Sequence, residues 1–241
     1  MNRQPRTAAS ELSFVLAIAL ACGLVAASAG AADDVPRLLP DDLETALALS
    51  AAPPALRPEA GVHLLRRGGY EKVRAATNHF DCFVIRTVAR IDVQSADALI
   101  PICLDAEGMR TIAPVHFDTA ELREQGVAAG DIRDRLKAGF ADGFYQAPAR
   151  TGLSYMISPI LNLPDGEGGV WTYPPHFMVY APHLTNAEQD TQPDRGGGWL
   201  PWINNEGPHG MIIMPVGHAE QETIRRDEAA LIRDVEDYLA R

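Results

Sequence analysis

Four of the seven histidines lie in the last third of the chain, at His176, His183, His209 and His218. Imidazole is the side chain whose ordinary pKa lies near working pH, so these are the first candidates for proton transfer or metal ligation. His176 and His209 are the more informative pair. Each follows a proline (Pro175, Pro208) and leads into a short apolar run, Phe177–Tyr180 and Met211–Met214. If those runs are neighbouring strands, both rings sit at sheet ends. Two carboxylates, Asp105 and Glu107, flank Cys103 in a segment that contains Gly108. Histidines with carboxylates form a donor set for Zn²⁺, at about 2.0–2.2 Å per ligand. The metal candidates are therefore His176, His209 and Asp105, and the acid–base candidates are His176, His209 and Glu107. His176 and His183 are seven residues apart with Pro182 between them. They cannot share a helix face, and on a strand they point to opposite sides. A joint site needs His176 and His209 to meet across strands; otherwise these are strand-end histidines with ordinary hydrogen bonds.

Other nucleophile signatures are missing. There is no His-Glu-x-x-His, no phosphate-binding loop and no Gly-x-Ser-x-Gly elbow. Gly152-Leu153-Ser154-Tyr155-Met156 lacks the second glycine, which leaves Ser154 as an ordinary strand residue. Aromatic density is a stronger signal. Residues 171–202 hold Trp171, Tyr173, Phe177, Tyr180, Trp199 and Trp202, six of the chain's sixteen aromatics, interleaved with Gly, Pro, Asn and Asp. Flat rings on Gly-rich loops suit sugars, other amphipathic ligands or a protein partner; the alternative is that they plug a sheet edge. The ligand-binding candidates are His176, Tyr180, Trp199, Trp202 and His209.

The first 31 residues read as an address. Arg3 and Arg6 precede an apolar run, Phe14–Ala27, and Ala29-Gly30-Ala31 closes it before Asp33 and Asp34. Positive start, apolar middle and small-residue exit are the parts of a secretory signal peptide. The run is shorter than the roughly 20 residues of a comfortable membrane span. An uncleaved anchor and lipidation at Cys22 are the competing readings. Removing Arg3, Arg6 and Glu11 from 21 basic and 32 acidic residues leaves 19 and 31, a net charge of −12. That sign disfavours nucleic acid and anionic lipid as partners, and no second long apolar stretch predicts membrane insertion. Export to the periplasm or beyond leaves two cysteines, Cys82 and Cys103, in an oxidising compartment. Such a pair reads as one disulfide, with a free, nucleophilic Cys82 as the alternative.

The elements that must position these groups are short. Residues 32–40 read as a loose tail. A capping-box start at Asp41 leads a helix with Leu43, Ala46, Leu47 and Ser50 on one face, ended by Pro53-Pro54. Val62 and Leu64 mark a strand that turns at Arg66-Arg67-Gly68-Gly69 into Tyr70–Val73. Residues 82–88 are the best strand of the first half. Residues 105–118 read as a loop, with Asp118 capping a helix that Gly126 ends. Asp131 leads a second helix to about Ala141. Leu153–Ser158, Phe177–Tyr180 and Met211–Met214 are further strands, and the last 20 residues are one amphipathic helix covering the sheet. There is no repeat and no regular strand–helix–strand alternation. The fold class is α+β, a single exported domain over 32–241 with a mostly antiparallel sheet of short strands and a C-terminal amphipathic helix.

Four segments occur in order: Asn78-His79-Phe80-Asp81-Cys82, Pro101-Ile102-Cys103-Leu104-Asp105-Ala106-Glu107-Gly108, Pro174-Pro175-His176-Phe177-Met178-Val179-Tyr180-Ala181-Pro182 and Pro208-His209-Gly210. Together, over about residues 45–216, the chain resembles a family of uncharacterised exported bacterial proteins. The resemblance implies export and one domain, and supplies no catalytic role. The residues point to a non-catalytic protein that binds a small molecule or a protein outside the cytoplasm. The alternative is an extracytoplasmic hydrolase using His176 and His209 with Asp105 or Glu107, with or without Zn²⁺.

Overall fold

Runs of β-branched and aromatic residues such as Cys82-Phe83-Val84-Ile85 fit a pleated surface buried on both sides. They form the centre of an eight-stranded sheet in the computed structural model, which describes residues 35–86, 98–164, 170–171, 173–191 and 200–240. The strands are β1 (Gly61–Arg66), β2 (Gly69–Arg74), β3 (Asp81–Ile85), β4 (Ile100–Leu104), β5 (Leu153–Met156), β8 (His176–Tyr180), β9 (Trp202–Asn204) and β10 (Met211–Pro215). Their order is β2-β1-β3-β4-β5-β8-β10-β9, with every neighbour antiparallel except the β1–β3 pair. A small separate ribbon pairs β6 (Leu163–Pro164) with β7 (Val170–Trp171). The predicted β1–β2 hairpin forms as expected, because Gly68 and Gly69 adopt φ of +89° and +125°, which other residues resist.

Period-two alternation divides the sheet side chains between two cores. Phe83, Ile102, Leu104, Met178, Tyr180 and Ile213 face one layer, which holds Ile112 and Ala113. Val62, Leu64, Cys82, Val84 and Cys103 face the other, under Leu47 and Ala48 of α1 (Asp41–Ser50). Each large apolar side chain buried in this way contributes about 1.5–3 kcal/mol. The predicted α+β class with its mostly antiparallel sheet is the class observed. Among the described residues no helix is long and apolar enough to cross a membrane.

Four local expectations are corrected. Segment 105–118 is helical: α2 (Ala106–Thr111) and α3 (Ala113–Glu124) fill it, with Asp105 as the α2 cap and Asp118 inside α3. Pro114 is tolerated because it lies in the first turn of α3, where its missing N–H has no helical acceptor to lose. The inward face of α1 is Glu44, Leu47, Ala48 and Ser50, while Ala46 is exposed and Leu43 half-buried. Residues 36–40 are tied down. Leu39 is buried, and the Arg37 and Leu38 carbonyls accept from Arg86 and from the Tyr238 hydroxyl. The C-terminal stretch is two helices, α5 (His218–Asp227) and α6 (Ala229–Leu239), divided at Glu228. Leu231 and Val235 of α6 join the α1-side core, so α6 backs α1. The second predicted helix is α4 (Ala129–Ala141), which buries Ile132 and Leu136, leaves Phe140 half-buried and Ala141 exposed, and begins two residues early.

Candidate functional site

Strand β4 ends at Leu104, and the next residue organises one end of the sheet. The Asp105 carboxylate accepts from the backbone N–H of Gly108 at 2.9 Å and of Leu153 at 3.0 Å. The Tyr180 hydroxyl lies 3.0 Å from Asp105 Oδ1 and 2.9 Å from the Leu153 carbonyl, sharing its proton between them. One side chain thereby fastens the start of α2, the start of β5 and the end of β8. Two glycines allow this closeness. A Cβ on Gly108 would stand 2.2 Å from the Tyr180 hydroxyl oxygen, and one on Gly152 would stand 2.3 Å from Asp105 Oδ2. Burial, and then the Asp105 charge, hold the Tyr180 phenol far above its ordinary pKa. It stays protonated and is no base.

Glu107 is 7% exposed and equally committed. Its Oε1 accepts from Arg110 at 2.7 Å and from the Ala149 N–H at 2.7 Å, and Arg150 stands 3.7 Å away. The Arg110 hydrogen bond, with the Ala149 N–H behind it, holds the carboxyl below its usual range. A carboxylate kept ionised in this way is a poor proton donor.

His209 lies at the same end. Its Nε2 donates to the Gln146 carbonyl at 3.0 Å, and its ring meets Phe140 of α4 edge-on at 4.8 Å. Its imidazole companion is His116 of α3. Burial, and then the neighbouring His209 charge, push His116 from 6.5 down to about 4. His116 carries no weight in the sequence reading because its segment reads as a loop; helical spacing through α3 is the signal that places it inward.

These shifts give the acid limb of the stability curve a definite sign. The unfolded chain protonates His116 near pH 6.5, whereas the folded chain resists until about 4, so stability is lost as pH falls across that window. Buried Glu44 works the other way, because burial raises its pKa and its ionisation penalty disappears on acidification. His116→Phe should therefore flatten the decline of melting temperature between pH 6.5 and 4. An unchanged slope would remove His116 from this role.

His176 lies elsewhere. In the β8–β10 register His176 faces Pro215 and Tyr180 faces Met211. His209 precedes Met211 by two residues, so the two rings lie at opposite ends of the strand pair. At about 3.3 Å per residue they are roughly 15–20 Å apart. The expected shared pocket of His176 and His209 is thus overturned, and with it the joint use of these histidines with Asp105 or Glu107 as a zinc or hydrolase site. Among the described residues no three of His, Cys, Asp and Glu converge as a metal site.

The predicted ligand residues divide in the same way. Tyr180 and His209 belong to the Asp105 end. His176, 3% exposed, donates through Nδ1 to the Pro174 carbonyl at 2.8 Å and meets Tyr173 edge-on at 6.5 Å. Burial lowers the His176 pKa, so the ring is neutral. Tyr173 stacks on Trp202 with centroids 6.5 Å apart and planes 24° from parallel. Trp202 is buried, while Tyr173 remains 37% exposed. Trp199 lies outside the described residues, as does the expected signal segment 1–31.

The cysteines are joined. Cys82 and Cys103 sit directly opposite each other on β3 and β4 and form a disulfide. Both are completely buried, which removes the nucleophilic Cys82 reading. Ser154 is also fully buried, and among the described residues no hydrogen-bonding group, and so no base, meets its Oγ.

Fold and site define a class: a disulfide-braced α+β protein with helices on both faces of a mixed sheet, structural carboxylates at one end and an aromatic platform towards the other. Compared with protein-family models, curated proteins and solved structures, the chain matches none.

Proposed function

We propose that this is a non-catalytic binding protein of the extracytoplasmic space, periplasmic or secreted, and that Tyr173, backed by the buried Trp202 and His176, is the surface it offers to a ring-bearing small molecule. The observation that carries this reading is the Tyr173 ring, backed by Trp202 yet open to solvent. A flat, supported, exposed ring suits the apolar face of a sugar or another amphipathic ring. The signal-like start and the buried disulfide support export. Against catalysis stands the occupation of the two predicted carboxylates: Asp105 and Glu107 hold backbone N–H groups and an arginine, and among the described residues neither orients an imidazole.

The test is a tryptophan-fluorescence titration of the mature protein with oligosaccharides of glucose and of N-acetylglucosamine. A saturable response is expected, weakened about tenfold in Tyr173→Ala with little change in melting temperature, the effect of losing one aromatic contact. No response to either series, or one that Tyr173→Ala leaves intact, overturns the platform. Release of shortened sugars would restore the hydrolase reading.

A further inference from the structure

A groove of about 630 Å³ runs between α1 and the α5–α6 junction, on the sheet face opposite the aromatic platform. Its floor is apolar, built from Leu43 and Ala46 of α1 and from Leu231 and Tyr238 of α6. Its rim is acidic: Asp42, Asp227, Glu228, Asp234 and Asp237 line it, and no lysine or arginine does. Glu228 is answered by Arg57, and Asp227 by its neighbour Arg226 at 3.4 Å. Among the described residues Asp42 accepts only from the adjacent Leu43 N–H. Asp234 and Asp237 meet no cation among the described residues.

The chain already displays the chemistry that this groove accepts. The Arg37 guanidinium lies over the Tyr238 ring, 5.2 Å from its centroid, and Tyr238 is held in place by its hydroxyl on the Leu38 carbonyl. Arg57 supplies a second guanidinium at Glu228. Two lining residues, Tyr238 and Glu228, thus already make cation–π and carboxylate contacts to the chain's own arginines from outside the groove, and further carboxylates, Asp42, Asp234 and Asp237, stand along it.

We propose that the groove docks a basic, amphipathic segment of another protein. Its apolar residues would lie on Leu43, Ala46 and Leu231, and its lysines or arginines would pair with Asp234, Asp237 and Asp42. An apolar floor with a charged rim is the arrangement by which grooves between helices take amphipathic helices. Charge complementarity selects a cationic occupant, and the same acidity repels an anionic lipid surface. None of these residues belongs to the aromatic platform, so the two surfaces can succeed or fail separately.

The probe is a fluorescein-labelled peptide of leucine and lysine at helical spacing, titrated into the mature protein at low salt and followed by anisotropy. Saturable binding is expected. Asp234→Asn with Asp237→Asn should weaken it at least about fivefold, the scale of two partly exposed ion pairs. Ala46→Arg, at an exposed position, should abolish it while circular dichroism reports an intact fold. A control removing equal charge elsewhere, Asp131→Asn in the first turn of α4 with Asp142→Asn just past its end, should change affinity less than about twofold. The proposal is overturned if the peptide does not bind or if the control weakens it as much as the groove variants. It is also overturned if a lysine–serine peptide of equal charge binds as tightly, since the groove would then be a simple cation trap.

Discussion

Replacing Cys82 and Cys103 together by alanine should lower stability by roughly 2–4 kcal/mol, the range for losing a bridge that closes a loop of this size. The bridged residues are 21 apart in sequence, and both are completely buried beneath α1, where Cys103 Sγ lies 3.7 Å from the Ala48 carbonyl. For a domain of this length the loss corresponds to a fall in melting temperature of about 5–15 °C. Cys103→Ser alone should do at least as much harm, because it places a hydroxyl and a lone thiol in an apolar core. Urea unfolding of both variants separates the two effects. In the native, never-reduced protein neither cysteine should alkylate. A double variant within about 0.5 kcal/mol of the parent would show that the bridge contributes no stability.

Asp105→Ala is expected to be comparably damaging, at about 3–5 kcal/mol. The carboxylate accepts from two backbone N–H groups and holds the Tyr180 hydroxyl, and charged acceptors of this kind contribute about 1.5–3 kcal/mol each without strict additivity. Its removal strands the Gly108 and Leu153 N–H donors at the starts of α2 and β5. Tyr180→Phe removes only the phenolic contact and should cost about 1 kcal/mol, since the Asp105 bonds to Gly108 and Leu153 survive. The ordering of the two variants is the useful result. If Asp105→Ala stayed within about 1 kcal/mol of the parent, Asp105 would not be the fastening point of this end of the sheet, and its availability for chemistry would have to be reconsidered.

Much of the local structure could be read directly from residue types. The glycine pair at 68–69 sets the hairpin, Gly126 and Gly143 take the positive φ values that follow α3 and α4, and Val, Ile and Phe around Cys82 make a central strand. The two cysteines that remain beyond a signal-like start imply one bridge, and the bridge is there. These features depend on backbone preferences within a few residues, or on simple counting. The helical turns from 106 to 117 are masked in the sequence by Gly108 and Pro114, whereas the part of α3 after Asp118 is legible. Gly108 lies where the Tyr180 hydroxyl leaves no room for a side chain, a constraint from a strand more than 70 residues away. The buried Glu44 likewise depends on the Leu65 N–H that its carboxylate accepts. The candidate site shows the difference most clearly. His176 and His209 each stand at the start of an apolar strand, and the two strands are neighbours as expected. Antiparallel pairing lays the start of one against the end of the other. The same pairing that makes these strands neighbours therefore separates their histidines, bringing His209 to His116 and His176 to Tyr173. Strand direction and register are long-range properties of the sheet, and no local spacing of residues encodes them.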